Sequence, residues 1–346
     1  MRCPCRVLRS MVAACMILAA GSARAAEPAL VEAAKKEGEV IWYTTQIISQ
    51  LVRPVSAAFE KKYGIKVRST RANSTELSVK IINESRAGRP QSDVFDGTST
   101  VVPLKKEGFV LQWQPDPAKS YPAQYKDPEG YWVANNLFFL TPGFNTALVP
   151  KGTEPRSYQA LLDPKWRSKI AWSTAPSSSG GPGLIGTVLT EMGTESGMLY
   201  LRELSKQRIA NIGSAAREVL DQVIAGEYPL ALMIFNHHAH ISKIAGAPSE
   251  WQPLEPVPAT ISTVGLAKNS PHPHAAMLLL DFLLSRAGQK VFQSVNYLPA
   301  HPAMPALQAD LKVGSGRFQK ASYINPDLQF EKNNEWVDYF HSQFLK

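Results

Sequence analysis

The chain has 346 residues, 44% hydrophobic and 19% charged, with a formal charge of +8 at pH 7. It is long enough to stabilise itself by core burial, and its basic excess includes no Lys/Arg block of the kind that tracks nucleic acid and no basic amphipathic stripe for a membrane surface. Beyond the N-terminal region no segment is long and apolar enough for a membrane helix, because the run Met277 to Leu284 is interrupted by Asp281.

The chain opens MRCPCRVLRSMVAACMILAAGSARA. Arg2, Arg6 and Arg9 make a basic front, Met11 to Ala20 is a short apolar run, and Ala23-Arg24-Ala25 is a small-x-small cleavage pattern. That layout predicts a secretory signal peptide over residues 1–25, cut after about Ala25, and places the mature protein in the periplasm. Lipid attachment at Cys15, after Val12-Ala13-Ala14, is the rival processing event. Cys3, Cys5 and Cys15 all lie in this segment, so the mature chain is expected to have no disulfide, no thiolate metal site and no cysteine nucleophile. Loss of its four arginines leaves an excess of about four positive charges, compatible with an anionic small ligand.

From there, short β-rich runs alternate with helical stretches. "EVIWYTT" (39–45) predicts a strand, and a helical pattern runs through "VSAAFEKKYG" to Gly64. "IKVRST" (65–70) is the next strand, and Asn73, with Glu76 three residues on, predicts a capped helix whose buried stripe is Leu77, Ile81 and Ile82. "SDVFDG" (92–97) is a third strand. This alternation predicts an α/β layer with a parallel sheet, in which ligands sit beyond the carboxyl ends of the strands. Those ends are Thr44, Thr45 and Gln46; the turn from Arg71 to Thr75; and Gly97 to Thr100, including Thr98 and Ser99.

A Pro- and aromatic-rich stretch (113–133) precedes a second α/β set. There "KIAWSTAPSSSGGPGLIGTVLTEMG" carries a strand, a Ser/Gly turn and a helix starting near Leu184. "YPLALMIF" is a buried strand, and "NHHAHISKIAG" the helix after it, with Asn236 as its expected cap. "ISTVGLAK" (261–268) adds a strand and "PHAAMLLLDFLLSRAGQKVFQ" one strongly periodic helix. The predicted fold class is α/β, with two lobes joined by crossing strands and one ligand cleft between them. The first lobe takes residues 26–135 and about 262–305; the second takes 136–261 and about 306–346.

"AAKKEGEVIWYTT", "FEKKYGIKV", "SDVFDG", "LLDPKWRSKIAWSTAPSSSGGPG", "AGEYPLALMIFN" and "DFLLSRAGQKVFQ" stand in an order that resembles extracellular solute-binding proteins of ABC importers. The resemblance covers about residues 30–305 and is nearest the branch of ferric-iron-binding proteins. It implies a type II-like periplasmic binding fold, a solute trapped by lobe closure, and delivery to a permease in the inner membrane. Ferric-binding members hold iron with adjacent tyrosines in the second lobe, plus a histidine and often a glutamate from the first. At the matching places this chain has His237 and His238, Ile47 and Thr98. Neutral imidazole suits softer ions than Fe³⁺, so the resemblance does not carry over its metal.

Each candidate residue also has a plainer reading. Ser177, Ser178, Ser179 and Gly180, before a helix, form an anion cradle of backbone N–H groups and hydroxyls, or an ordinary flexible loop. Arg71 forks onto a carboxylate or phosphate, or is simply solvated. The threonine clusters orient a ligand, or cap the helices that follow. His237 and His238, with His240 beside them, are metal ligands, a hydrogen-bonding cleft wall with Asn236, or helix packing.

A secreted hydrolase is the rival class. The chain has no G-x-S-x-G elbow, no H-E-x-x-H and no paired acids bracketing a motif. The expectation is therefore a monomeric binding protein, not an enzyme, with no cofactor and no assigned metal ligands. Its solute is a phosphate- or carboxylate-bearing organic anion, with a metal ion as the alternative, and nucleic acid is not a partner.

Overall fold

Two long, fully buried strands organise the molecule: 13 residues from Val133 to Asn145 and 11 from Val257 to Ala267. Residues whose burial does not alternate along a strand must be covered on both faces, which is the environment of a central strand in a layered α/β protein. The computed structural model describes residues 27–314 and 316–345. The expected signal peptide, with Cys15 and the cleavage site, lies outside the described residues.

The chain begins with α1 (Pro28–Glu37), β1 (Glu39–Thr44), α2 (Arg53–Tyr63), β2 (Lys66–Arg71), α3 (Ser74–Arg86), β3 (Val94–Gly97), α4 (Val101–Lys106) and β4 (Val110–Leu111). Short 3₁₀ turns over 116–125 lead into β5 (Val133–Asn145). Then come β6 (Ile170–Ser173), α5 (Gly181–Met192), α6 (Thr194–Ser205), β7 (Ala210–Ile212), α7 (Ala216–Ala225), β8 (Leu230–Phe235), α8 (Asn236–Ile244) and β9 (Ser249–Trp251). The return is β10 (Val257–Ala267), α9 (Pro273–Leu284), α10 (Arg286–Ser294), β11 (Leu298–Pro299), β12 (Ala321–Tyr323) and α11 (Pro326–Phe344).

The strand order is β2-β1-β3-β10-β5-β8-β6-β7. Strands β1, β2 and β3 are parallel, as the alternating pattern predicts, and β10 joins β3 antiparallel. In the second lobe β6 is parallel to both β7 and β8. Strand β5 serves both lobes: its first half pairs with β10 and β11, its second with β8 and β9, with a register irregularity between Thr141 and Gly143. Two lobes and crossing strands are thus present together.

Local chemistry explains most boundaries. Asn73 accepts from the Glu76 amide at 2.9 Å while the Glu76 carboxylate accepts from the Asn73 amide at 3.1 Å, closing a capping box on α3. The single helix expected after Pro273 is instead two. Ser285 takes an extended conformation between them, and its hydroxyl accepts from the Gly288 amide at 3.2 Å, so it caps α10. Asn236 does not cap α8. Phe235 occupies that position, and Asn236, already helical and fully buried, donates its amide to the Leu311 carbonyl at 2.9 Å. Helix α11 lays Trp336, Phe340 and Phe344 onto the core of the second lobe beside α5, where Gly181 and Gly186 make room for two of these rings.

Candidate ligand-binding cleft

The cleft between the lobes has a volume of about 630 Å³. Its first wall is built on a buried carboxylate. Asp96, fully buried at the end of β3, accepts from Trp42 Nε1 (2.8 Å), Thr44 Oγ1 (2.6 Å), the Thr45 amide (3.0 Å) and Thr45 Oγ1 (3.1 Å). These bonds tie the ends of β1 and β3 together, so the Thr44 hydroxyl is structural and does not face the cleft. Burial pushes the Asp96 carboxyl up to about 6, while the four donors pull the other way. Gly97, at φ +151°, lies so close that a Cβ there would fall 2.2 Å from Thr100 Oγ1 and 2.9 Å from the Thr45 methyl. Only glycine fits.

Thr45, Gln46 and Thr98 line the cleft from these strand ends; Ser99 does not. The Gln46 amide spans to both crossing strands, donating to Asn136 Oδ1 at 3.1 Å and Ser262 Oγ at 3.0 Å. Beyond β2, Arg71 and the first turn of α3 (Asn73, Ser74, Thr75, Glu76) complete this wall.

The second wall starts where β6 ends. Thr174, Ala175, Pro176, Ser177 and Ser179 face the cleft. The turn is compact: a Cβ at Gly180 would lie 2.1 Å from the Ala175 carbonyl oxygen, and one at Gly183 would lie 2.2 Å from that of Ser178. Gly180 therefore shapes the turn as the cap position of α5 without lining the cleft, and the buried Ser178 hydroxyl is turned away from it. The hydroxyls of Ser177 and Ser179 are 3.2 Å apart. Arg217, in the first turn of α7, is the cation on this side. It is held by Asp221 at 2.6 Å and by the Ser242 hydroxyl at 3.0 Å. Arg71, from the opposite wall, comes within 3.9 Å of Glu218, beyond hydrogen-bonding distance.

The floor is aromatic. Phe138, Phe235, His238 and Tyr297 line it. The Phe138 and Phe235 ring centroids lie 4.4 Å apart, and the Phe235 and His238 rings meet edge-on at 5.4 Å. His237 stacks on Phe138 at 5.5 Å, fully buried, and lies beneath the floor. Burial first, then Arg217 and His240, lowers the His237 imidazole to about 3. Burial, with His237, Arg217 and Arg71, also holds His238 well below the ordinary range. Both rings are therefore neutral at physiological pH. Among the described residues no group of three His, Cys, Asp or Glu side chains is placed to share a metal ion.

Of the predicted residues, Thr45, Gln46, Arg71, Thr98, Ser177, Ser179 and His238 meet in one cleft. Thr44, Ser99, Ser178, Gly180, Asn236 and His237 support it or lie behind it. Arg217, Phe235 and Tyr297 escaped sequence reasoning. The strand-end rule applied to "ANIGSAAREVL" points to Arg217, since β7 is followed at once by α7. Nothing local in the sequence marks Tyr297, which arrives from the return segment beyond α10.

Two α/β lobes with a cleft between them make up the periplasmic-binding-protein fold, which the solved structures similar to this chain share. Residues 92–317 match the family model for bacterial extracellular solute-binding protein, and the chain belongs to that family. Its members capture small solutes for ABC importers. The chain is similar to Iron uptake protein A1 of Synechocystis sp., at 21% identity over 276 residues, 76% of each chain. It is also similar to the putative 2-aminoethylphosphonate-binding periplasmic protein of Salmonella typhimurium, at 24% identity over 73% of this chain and 72% of that one. Among solved structures it resembles the periplasmic binding protein AfuA of Actinobacillus pleuropneumoniae with fructose-6-phosphate bound. That pair has a TM-score of 0.73 at 20% identity, covering 89% of this chain and 99% of that one.

Proposed function

We propose that the solute is a small organic anion bearing a phosphate or carboxylate. The observation that carries this reading is the convergence of Arg71 and Arg217, from opposite lobes, on the cleft into which the Ser177–Ser179 turn opens at the start of α5. Arg71, 3.9 Å from its nearest carboxylate, offers a guanidinium fork to an anion, Arg217, held by Asp221, adds positive potential from the facing wall, and the Ser177 and Ser179 hydroxyls add donors. Closure then pairs the anion with both lobes at once, and each polar group buried on closure must find a partner, which is the source of selectivity. Relatives named for an aminoethylphosphonate and a structure holding a sugar phosphate support the same chemistry.

Metal capture, to which Iron uptake protein A1 points, has weaker support in the donor set. Where ferric-binding relatives are expected to carry two phenolates, this chain has two neutral imidazoles, and only one of them faces the cleft. Hard Fe³⁺ prefers oxygen donors.

Titration calorimetry of the full-length chain with glycerol 3-phosphate, propionate and ferric citrate tests the reading. Binding of at least one organic anion, weakened about 10- to 100-fold in Arg71→Met, supports it, as expected for the loss of a charge-assisted hydrogen bond of about 1.5–3 kcal/mol. Iron binding that exceeds anion binding and is lost in His238→Ala overturns it.

A further inference from the structure

Resting on that reading, we propose that the anionic group is carried on a flat aromatic or heteroaromatic ring, which the floor of the cleft receives. The volume of about 630 Å³ lies within the range of roughly 300–1,000 Å³ typical of sites that enclose whole organic molecules. An inorganic anion or a single ion fills a small part of it, so the body of the solute occupies the rest. That body meets Phe138, half-buried Phe235, His238 and Tyr297. Three are carbon-rich rings and the fourth is an imidazole that stays uncharged, so the floor offers π-faces and edges without a buried charge.

Most polar groups beside this floor already have partners, His238 Nδ1 being an exception. The Gln46 amide donates to Asn136 and Ser262, the Thr45 hydroxyl to Asp96, and the Tyr297 hydroxyl lies 3.4 Å from both Gln50 Oε1 and His238 Nε2. A solute with several hydroxyls on its body would bury them against groups that are already satisfied, at a cost for each. A planar ring buries only carbon and stacks. The charged polar capacity is on the walls: Arg71 has only a distant carboxylate, and the Ser177–Ser179 turn opens toward the cleft. The cleft thus separates a charged end from an apolar end, which defines a solute with the same division.

The test is a paired calorimetric series at pH 7: phenyl phosphate against glycerol 3-phosphate, and benzoate against propionate. The expected result is that the aromatic member of at least one pair binds about tenfold more tightly, and that Phe235→Ala brings the ratio to within about twofold. Phe235→Leu keeps an apolar side chain of similar bulk, so it guards against misfolding; it should also lose most of the aromatic preference. Ratios near one in the wild type, with binding intact, would overturn the ring proposal and leave the anion reading standing. So would an aromatic preference unchanged in both Phe235 variants. If none of the four probes binds, the anion reading falls, and the ring proposal with it.

Discussion

Replacing Gly181 by Ala, with and without Phe340, probes the seam that fixes the start of α5. A Cβ on Gly181 would lie 2.3 Å from Phe340 Cε2 and 2.8 Å from its Cδ2, too close for any two carbon atoms. The backbone of Gly181 is ordinary helix, so the substitution carries no conformational penalty of its own. All of its cost is the displacement of the fully buried Phe340 ring, which for overpacking amounts to about 1–3 kcal/mol. Phe340→Ala alone opens a cavity between α11 and α5 and should cost about 3–5 kcal/mol. In the double variant the added methyl occupies vacated space, where burial of one methyl returns about 0.8 kcal/mol. The double variant should therefore be less destabilised than the sum of the singles, by roughly 2–4 kcal/mol, the coupling expected of residues in direct contact. Urea unfolding midpoints at unchanged m-value measure this coupling. Strict additivity would refute the claim that the C-terminal helix seats its ring on Gly181.

Asp96→Asn should destabilise the protein by about 1–3 kcal/mol, because one amide face must turn its hydrogens toward two donors, whichever way it is flipped. A variant as stable as the wild type in urea would show that these four donors do not depend on the carboxylate. For the histidines, burial keeps the folded His237 near 3 while the unfolded ring titrates near 6.5, so the unfolded chain binds more protons between those values. Stability from this source is complete above about pH 6.5 and falls as the pH drops, by at most about 1.4 kcal/mol per unit for this ring. Ring-proton NMR should show His237 and His238 not titrating between pH 5 and 8, and His237→Phe should flatten the loss of stability between pH 7 and 5. A His237 signal moving with a midpoint near 6.5 would contradict its burial.

How much was legible depended on the range of the interaction. The α3 cap was readable because Asn73 and Glu76 are three residues apart and bond only to each other's backbone. The strand–helix alternation and the strand-end positions of Thr45, Arg71 and Thr98 were readable for the same reason: side-chain period and turn chemistry are local. The triple histidine was misleading in its polarity. Two of its rings are buried among Phe138, Phe235 and Tyr297, and nothing near residue 237 announces Phe138, which is brought there by β5 pairing across the sheet. Likewise, Asn236 has the residue type of a cap, but its amide is taken by the carbonyl of Leu311, 75 residues away. Ser285 was a missed local signal, a serine with a glycine three residues on inside an otherwise continuous apolar period.

The placement of β10 has a consequence for how the chain comes to be folded. This strand lies between β3 and β5, pairing Thr263 with Gly97 and Ile261 with Leu137, so the first sheet stays open until more than 260 residues exist. The second lobe waits longer still, because α11 covers the face of α5 that would otherwise remain bare. Neither half can therefore close early. Long-range pairing delays folding, because loop closure must come before the contacts that reward it. The strand arrangement that creates the cleft thus makes both lobes depend on the C-terminal strand and helix for their completion.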